Sequence, residues 1–287
     1  MAEADRPDPR LAAAARALGL DLVSATPLIS AAPITRRPRS YLVGTSDGAL
    51  VKVRFGRRAV IVARAAALSA ALGDARVPPP LARAGRVTAE HWVEGTDLAS
   101  FRLSARHLDA AADLLARLHR FAGPPGEDLP RTQSTGPMHR HGERHLADLV
   151  EGGVVTAAEG RRLRATLGHL PDRAPWGLMH GDFCGENLVW RSDGVLVSVD
   201  HEGLGRGFIE YDLARTWYRW PMSVPAGRRF ERSYRAALGS AAPTAAEQRA
   251  WKAAAAVKGA HLRHRRGLVA QRGLGALREV LDAEPGT

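Results

Sequence analysis

Two short apolar runs on either side of a polar turn constrain this chain more than any other feature. Residues 188–190 and 195–199 flank Arg191-Ser192-Asp193-Gly194. Asp-Gly between apolar runs is a β-hairpin signal, because Gly supplies the positive φ that a tight turn needs. A hairpin returns its second strand to where the first began. Asn187 opens the first strand and Asp200 closes the second, so an amide oxygen and a carboxylate are expected at one end. Asp182 precedes Asn187 by five residues, in a loop that Gly181 and Gly185 leave free to bend. Hard oxygens of this kind suit Mg2+ held jointly with substrate phosphates. A further carboxylate beside them is placed to accept the proton of an attacking hydroxyl.

The series His180-Gly181-Asp182, Asn187, Val199-Asp200-His201, Gly205, Gly207 and Tyr211-Asp212-Leu213-Ala214 resembles the catalytic loop and metal hairpin of protein-kinase-like phosphotransferases. With Gly rather than Arg after the histidine, it is most similar to the aminoglycoside phosphotransferase and choline kinase-like family. That resemblance implies a two-lobed α+β fold of the protein-kinase-like kind. An antiparallel N-terminal sheet would occupy residues 1–94, and a mostly helical C-terminal lobe residues 95–287. It implies transfer of the γ-phosphoryl group of ATP or GTP to a hydroxyl of a small molecule, with antibiotics among the candidates. Asp182 would be the catalytic base. Asn187 and Asp200 would hold Mg2+ and so contact the nucleotide, and Asp212 would brace the loop. Three departures stand out. Cys184 occupies the place of the protein-kinase lysine, His201 the place of a commoner Trp, and Gly207-Phe208-Ile209 the place of a GDP-like tripeptide. A nucleophilic Cys184 is not expected, because the base serves a substrate hydroxyl.

The N-terminal part reads as a helix from Asp8-Pro9 to Gly19, followed by strands. Thr45-Ser46-Asp47-Gly48 joins two of them, over 40–44 and 49–55. On the second, Leu50, Lys52 and Arg54 share one face and Val51, Val53 and Phe55 the other. Lys52 is the only lysine in the first 251 residues of a chain that otherwise chooses arginine. A compact ammonium suits a phosphate-pairing role for which a guanidinium is no equivalent, and the resemblance assigns Lys52 to the nucleotide phosphates. A solvated strand lysine is the plain alternative. The glutamate that pairs with this lysine in kinase-like folds is missing from the helix expected over 59–72; Asp200 is one substitute. No G-x-G-x-x-G occurs in residues 30–38, where the phosphate-covering loop would lie, so an ordinary polar loop fits equally well. Strands are expected over 81–87 and 90–93. By resemblance the backbone of Trp92 or Val93 meets the adenine; for the Trp92 side chain, core packing is the expectation.

Further on, a helix over 103–121 carries the stripe Leu108, Ala111, Leu114, Leu115 and Leu118. Residues 122–140 read as a loop, with helices over 142–150 and 156–167. His139, His141 and His145 lack the spacing and partners of a metal motif. Thr244 and Glu247 form a capping box for a helix over 244–264. By resemblance the C-terminal helices frame the acceptor pocket. Polycationic aminoglycosides want acidic surroundings, whereas arginine dominates here.

The charge of +11 comes almost wholly from arginine, since Lys52, Lys252 and Lys258 are the only lysines. That bias reads as GC-rich coding at least as much as a polyanionic partner, although steering of anionic substrates remains open. No aromatic–basic module of the nucleic-acid binders is present, so no nucleic-acid partner is expected. No apolar run approaches the roughly 20 residues of a membrane span. One cysteine and a charged N-terminus suggest cytoplasmic residence. A hydroxylated small molecule is the expected partner. The competing reading is a non-catalytic nucleotide or ligand binder of the same fold, motivated by the missing glutamate and Gly-rich loop.

Overall fold

The computed structural model describes residues 8–28, 40–56, 69, 76–78, 80–121, 135–268 and 271–283. The expected phosphate-covering loop and nearly all of the expected 59–72 helix lie outside the described residues. The chain forms two compact units: residues 1–97 with 188–202, and residues 98–187 with 203–287. A single cut at 94/95 differs from this in one main respect: the hairpin after Asn187 belongs with the first unit.

In the first unit, α1 (Pro9–Ala17) starts where the Asp8 carboxylate accepts from the Arg10 N–H at 2.9 Å, with Pro9 in the first turn. The strands β1 (Leu22–Pro27), β2 (Ser40–Thr45), β3 (Leu50–Phe55), β4 (Pro80–Ala84) and β5 (Val87–His91) form one antiparallel sheet in the order β1-β2-β3-β5-β4. Alternation sends Tyr41, Val43, Val51, Val53 and Ala89 into a core with Leu11 and Leu18 of α1. The other face carries Lys52 and Arg54. The sheet differs from expectation at its far edge. Gly85 and Arg86 make a turn that splits 81–87, and β5 stops at His91, so Trp92 and Val93 follow the strand instead of ending it. Trp92 is 38% exposed, which corrects the expectation of a packed core aromatic.

The hairpin of β8 (Leu188–Trp190) and β9 (Leu196–Ser198) forms as the turn residues dictate. Gly194 has φ 80° and donates to the Arg191 carbonyl at 3.0 Å, while Asp193 Oδ1 accepts from the Val195 N–H. β6 (Thr96–Asp97) pairs with the free side of β8.

The second unit is helical: α2 (Ala105–Arg120), α3 (Thr135–Glu151), α4 (Ala157–Leu167), α5 (Ile209–Arg219), α6 (Val224–Leu238), α7 (Ala245–His264) and α8 (Gln271–Asp282). The short pair β7 (Trp176–Met179) and β10 (Gly205–Phe208) completes it. Every residue of the α2 stripe is buried, and Thr244 with Glu247 makes the reciprocal capping box. α3 begins at Thr135, inside the segment read as a loop; Gly136 and Pro137 fall in its first turn, where both are tolerated. The α7 face rich in alanine packs with Leu146, Leu149, Leu163, Tyr211 and Leu277 in one core. Among the described residues no helix is long and apolar enough to cross a membrane.

Candidate active site

The loop 180–187 runs from β7 into a 3-10 turn (Gly185–Asn187) that leads to β8. Its backbone is clamped from below. Asp212, on α5 and fully buried, accepts from the His180 N–H at 2.8 Å through Oδ2 and from the Gly181 N–H at 2.9 Å through Oδ1. Oδ2 also lies 3.2 Å from His119 Nε2, and His119 Nδ1 lies 2.6 Å from the Tyr234 hydroxyl. Burial alone would push the Asp212 carboxyl up. The hydrogen bond and charge of His119, with His180 and Arg215, outweigh it and hold the group below the ordinary carboxylate range. Gly181 adopts φ 79°, and a Cβ there would sit 2.5 Å from the Gly203 carbonyl oxygen, so the loop can bend this closely only at glycine. Asp212 thus braces the loop, as expected. His119, read from sequence as a helix-end histidine, is the buried link between α2, α5 and α6.

Asp182 stands on this braced loop with about a third of its side chain exposed. Its carboxylate is gripped by two arginines one turn apart on α5. Arg219 donates from Nε to Oδ1 at 2.8 Å and from Nη2 to Oδ2 at 3.3 Å, and Arg215 Nη2 lies 3.5 Å from Oδ1. Neither arginine was singled out from the sequence. Their spacing of four residues was the only signal, lost among so many arginines. Asn187 donates through Nδ2 to the Asp182 backbone carbonyl at 2.8 Å, so its amide oxygen is the end left for a ligand. Asp182 and Asn187 are therefore brought together within one unit. The Cys184 thiol is buried against Glu186 at 3.2 Å. Burial, then the Asp182 charge, pushes it up to about 12, which leaves no thiolate at neutral pH.

Asp200 follows β9 in the other unit. The hairpin register sets Leu188 opposite Ser198, so Asn187 precedes the first paired position and Asp200 comes two residues after the last. Asp200 has φ 64°, the only non-glycine residue with positive φ among those described, and such strain gathers at functional sites. Its Oδ1 accepts from Arg54 Nη1 at 2.7 Å, and the Arg54 side chain is only 7% exposed. Arg54 is a second residue that the sequence does not single out. Lys52 sits opposite Glu90 in the β3–β5 ladder, and directly opposed positions share a face. The Trp92 N–H donates to the Leu50 carbonyl at 2.9 Å, within the first unit. Among the described residues no three His, Cys, Asp or Glu side chains gather as a metal site.

A cavity of about 530 Å³ lies among α5, α6, α7 and α8, lined by Trp217, Trp220, Phe230, Trp251 and other residues. Its volume is that of a site for a drug-sized molecule. Trp220 also approaches the 180–187 loop closely, since a Cβ on Gly185 would lie 2.9 Å from Trp220 Nε1.

A family model described as the phosphotransferase enzyme family (APH) matches residues 29–257. A search of curated protein sequences finds no match. Among solved structures, a spectinomycin phosphotransferase bound to ADP and spectinomycin is similar with a TM-score of 0.67 at 14% identity, covering 98% of this chain and 96% of that one. A macrolide 2'-phosphotransferase from Brachybacterium faecium gives 0.65 at 18% identity, covering 98% and 100%. A choline kinase from Streptococcus pneumoniae gives 0.63 at 14%, covering 92% and 93%. At these identities the likeness is one of fold.

Proposed function

The chain belongs to the phosphotransferase enzyme family and has its protein-kinase-like α+β fold, and on that premise we propose that it moves the γ-phosphoryl group of ATP or GTP to a hydroxyl of a small molecule. The observation that carries this reading is Asp182: an accessible carboxylate on a loop that Asp212 holds through two backbone N–H groups. Catalysis of this kind is mostly positioning and charge stabilisation, and a loop fixed from the buried side supplies positioning.

In the proposed mechanism Asp182 accepts or orients the proton of the acceptor hydroxyl. Asn187 and Asp200 are the proposed ligands of Mg2+, which when bound neutralises the nucleotide phosphates. The Asn187 amide nitrogen is spent on the Asp182 carbonyl, which turns its oxygen into the ligand. Arg54 fixes the Asp200 carboxylate. Lys52, aligned with Glu90, steadies the phosphates, and the backbone at Trp92 and Val93 is the proposed adenine contact. The aromatic cavity beside Trp220 is proposed to receive the body of the acceptor. Hydroxylated antibiotics belong in any acceptor panel, because the similar structures include a spectinomycin and a macrolide phosphotransferase. The proposed partner is a hydroxylated small molecule, and a requirement for ATP or GTP would agree with a cytoplasmic location.

One observation favours the second reading, nucleotide binding without turnover: Arg219 engages both oxygens of Asp182. Nucleotide consumption with Mg2+ over a panel of hydroxylated acceptors, run beside Asp182→Asn, separates the two. A kinase loses turnover in the variant while nucleotide binding survives; a binder shows the same binding and no turnover in either protein.

A further inference from the structure

We propose that the acceptor carries an anionic group, a carboxylate or a phosphate, near its reacting hydroxyl, and that Arg215 and Arg219 receive it. This rests on the phosphotransferase reading and names the substrate class of the same site.

A hydroxyl that gives its proton to the Asp182 carboxylate must come within hydrogen-bond reach of it, about 3 Å. Guanidinium nitrogens already lie at 2.8, 3.3 and 3.5 Å from its oxygens. Any group attached near that hydroxyl therefore meets two guanidiniums, with Glu186 Oε2 3.7 Å from Arg219 Nη2 as the further acid beside them. An ammonium on a neighbouring carbon must compete with both guanidiniums for Asp182 and Glu186. A carboxylate or phosphate is attracted, and the guanidinium fork matches its geometry with two parallel hydrogen bonds.

Arg215 has one donor to spare. It is hydrogen-bonded to Tyr211 and its contact with Asp182 is long, while its Nε is buried with no hydrogen-bond partner among the described residues. Buried polar groups in native proteins nearly always have a partner, so one left over points to a missing acceptor atom. Arg219 has a complementary property. Its two bonds occupy lone pairs on both oxygens of Asp182, so an incoming hydroxyl must compete with them. An acceptor whose own anion draws Arg219 away returns a lone pair of Asp182 to the incoming hydroxyl. The same two arginines thus select the substrate and release the base.

The cavity agrees with this. Glu186, more than half exposed beside Arg219, is the open acid near the loop; the three acids lining the cavity each have a partner. Glu210 is held by Arg235 at 2.5 and 2.6 Å, Glu231 lies 3.8 Å from Arg235, and Glu279 accepts from Trp217 Nε1 at 3.2 Å. Arg228 and Lys252 line it as well.

The test has two arms on the full-length protein. In the first, inorganic phosphate is titrated while the Nε–Hε resonances of Arg215 and Arg219 are followed by NMR. Saturable shifts at both in the millimolar range, weakened at least tenfold in Arg219→Gln and lost in Arg215→Gln/Arg219→Gln, are expected. Because Arg219 is partly exposed, Arg219→Gln keeps the test valid if the double variant does not fold. No saturable shift, or unchanged shifts in a folded variant, overturns the proposal. In the second, phosphoryl transfer from ATP is compared across glucose, glucuronate, glucose 6-phosphate and glucosamine, and across glycerol, glycerate and serinol. An anionic member at least tenfold ahead of its aminated counterpart in kcat/KM supports the proposal; an aminated member ahead overturns it. Saturable phosphate shifts in a protein that neither binds nor consumes nucleotide would sink the phosphotransferase reading and leave the anion site standing.

Discussion

Asp212 and Asp182 belong to the same unit, and both are held by hydrogen bonds, yet their surroundings differ in kind. Asp212 is sealed from water and bonded to two backbone N–H groups and a histidine. Asp182 is accessible and bonded to side chains that are themselves part exposed. Backbone donors on a buried loop cannot move without unfolding it. Arginine side chains can swing aside. The difference sets a carboxylate that fixes the loop apart from one left open to solvent, where the proposed reaction needs it.

The largest effect that would break the comparison is Asp212→Ala. It leaves His119 and two N–H groups buried without their acceptor, and removing one member of such a set costs about 3–5 kcal/mol. Urea unfolding should show this loss; a fully stable variant would mean the clamp is incidental. The same carboxyl makes a pH prediction. Its folded pKa lies below the unfolded value of about 3.9, so its contribution is complete above that value and is lost as pH falls through the folded one. Stability of Asp212→Asn should accordingly fall less than that of the wild type as pH is lowered below about 3.9.

Asp182→Asn should do the reverse. Turnover should fall about 10²–10⁴-fold with little change in melting temperature, since the site is accessible. Steady-state kinetics beside a thermal melt would test both halves. Arg54→Gln is expected to raise the KM for the magnesium nucleotide by about tenfold, the usual size for loss of a group that orients a metal ligand. A change confined to kcat would contradict the role given to Arg54.

A smaller effect belongs to α3 and α7. The His145 ring stacks on His261 at 4.1 Å and lies 6.1 Å from the His141 ring. Burial first, then the charges of His261, Lys258 and His141, lowers His145 to about 4, with Asp148 acting the other way. The unfolded chain binds that proton at about 6.5, so stability falls as pH drops from 6.5 towards 4. His145→Gln should lose fewer degrees of Tm between pH 7.5 and 5 than the wild type. Finally, Cys184 should resist alkylation at pH 8 in the native protein and react once unfolded; prompt labelling would contradict the burial.

What was legible in the sequence was local. The turns at 45–48 and 191–194, the capping boxes and the α2 stripe all rest on residues a few positions apart. The loop motif itself was legible because Asp182, Asn187 and Asp200 lie within one short stretch. What was missed was long-range. Arg219 reaches Asp182 across 37 positions, Arg54 reaches Asp200 across 146, and His119 reaches Asp212 across 93. No periodicity encodes such pairs. The arginine-rich composition added a second obstacle, because the arginines that touch the site look like the many that do not. Trp92 was misjudged since an aromatic residue near a strand reads as core, whereas β5 ends one residue earlier.

The most direct test is a single assay: consumption of ATP and GTP with Mg2+ over the acceptor panel, wild type beside Asp182→Asn, with nucleotide affinity measured on both. Transfer to at least one acceptor, loss of that transfer in the variant, and equal nucleotide binding by the two proteins are expected. Transfer that persists unchanged in Asp182→Asn would contradict the role given to Asp182.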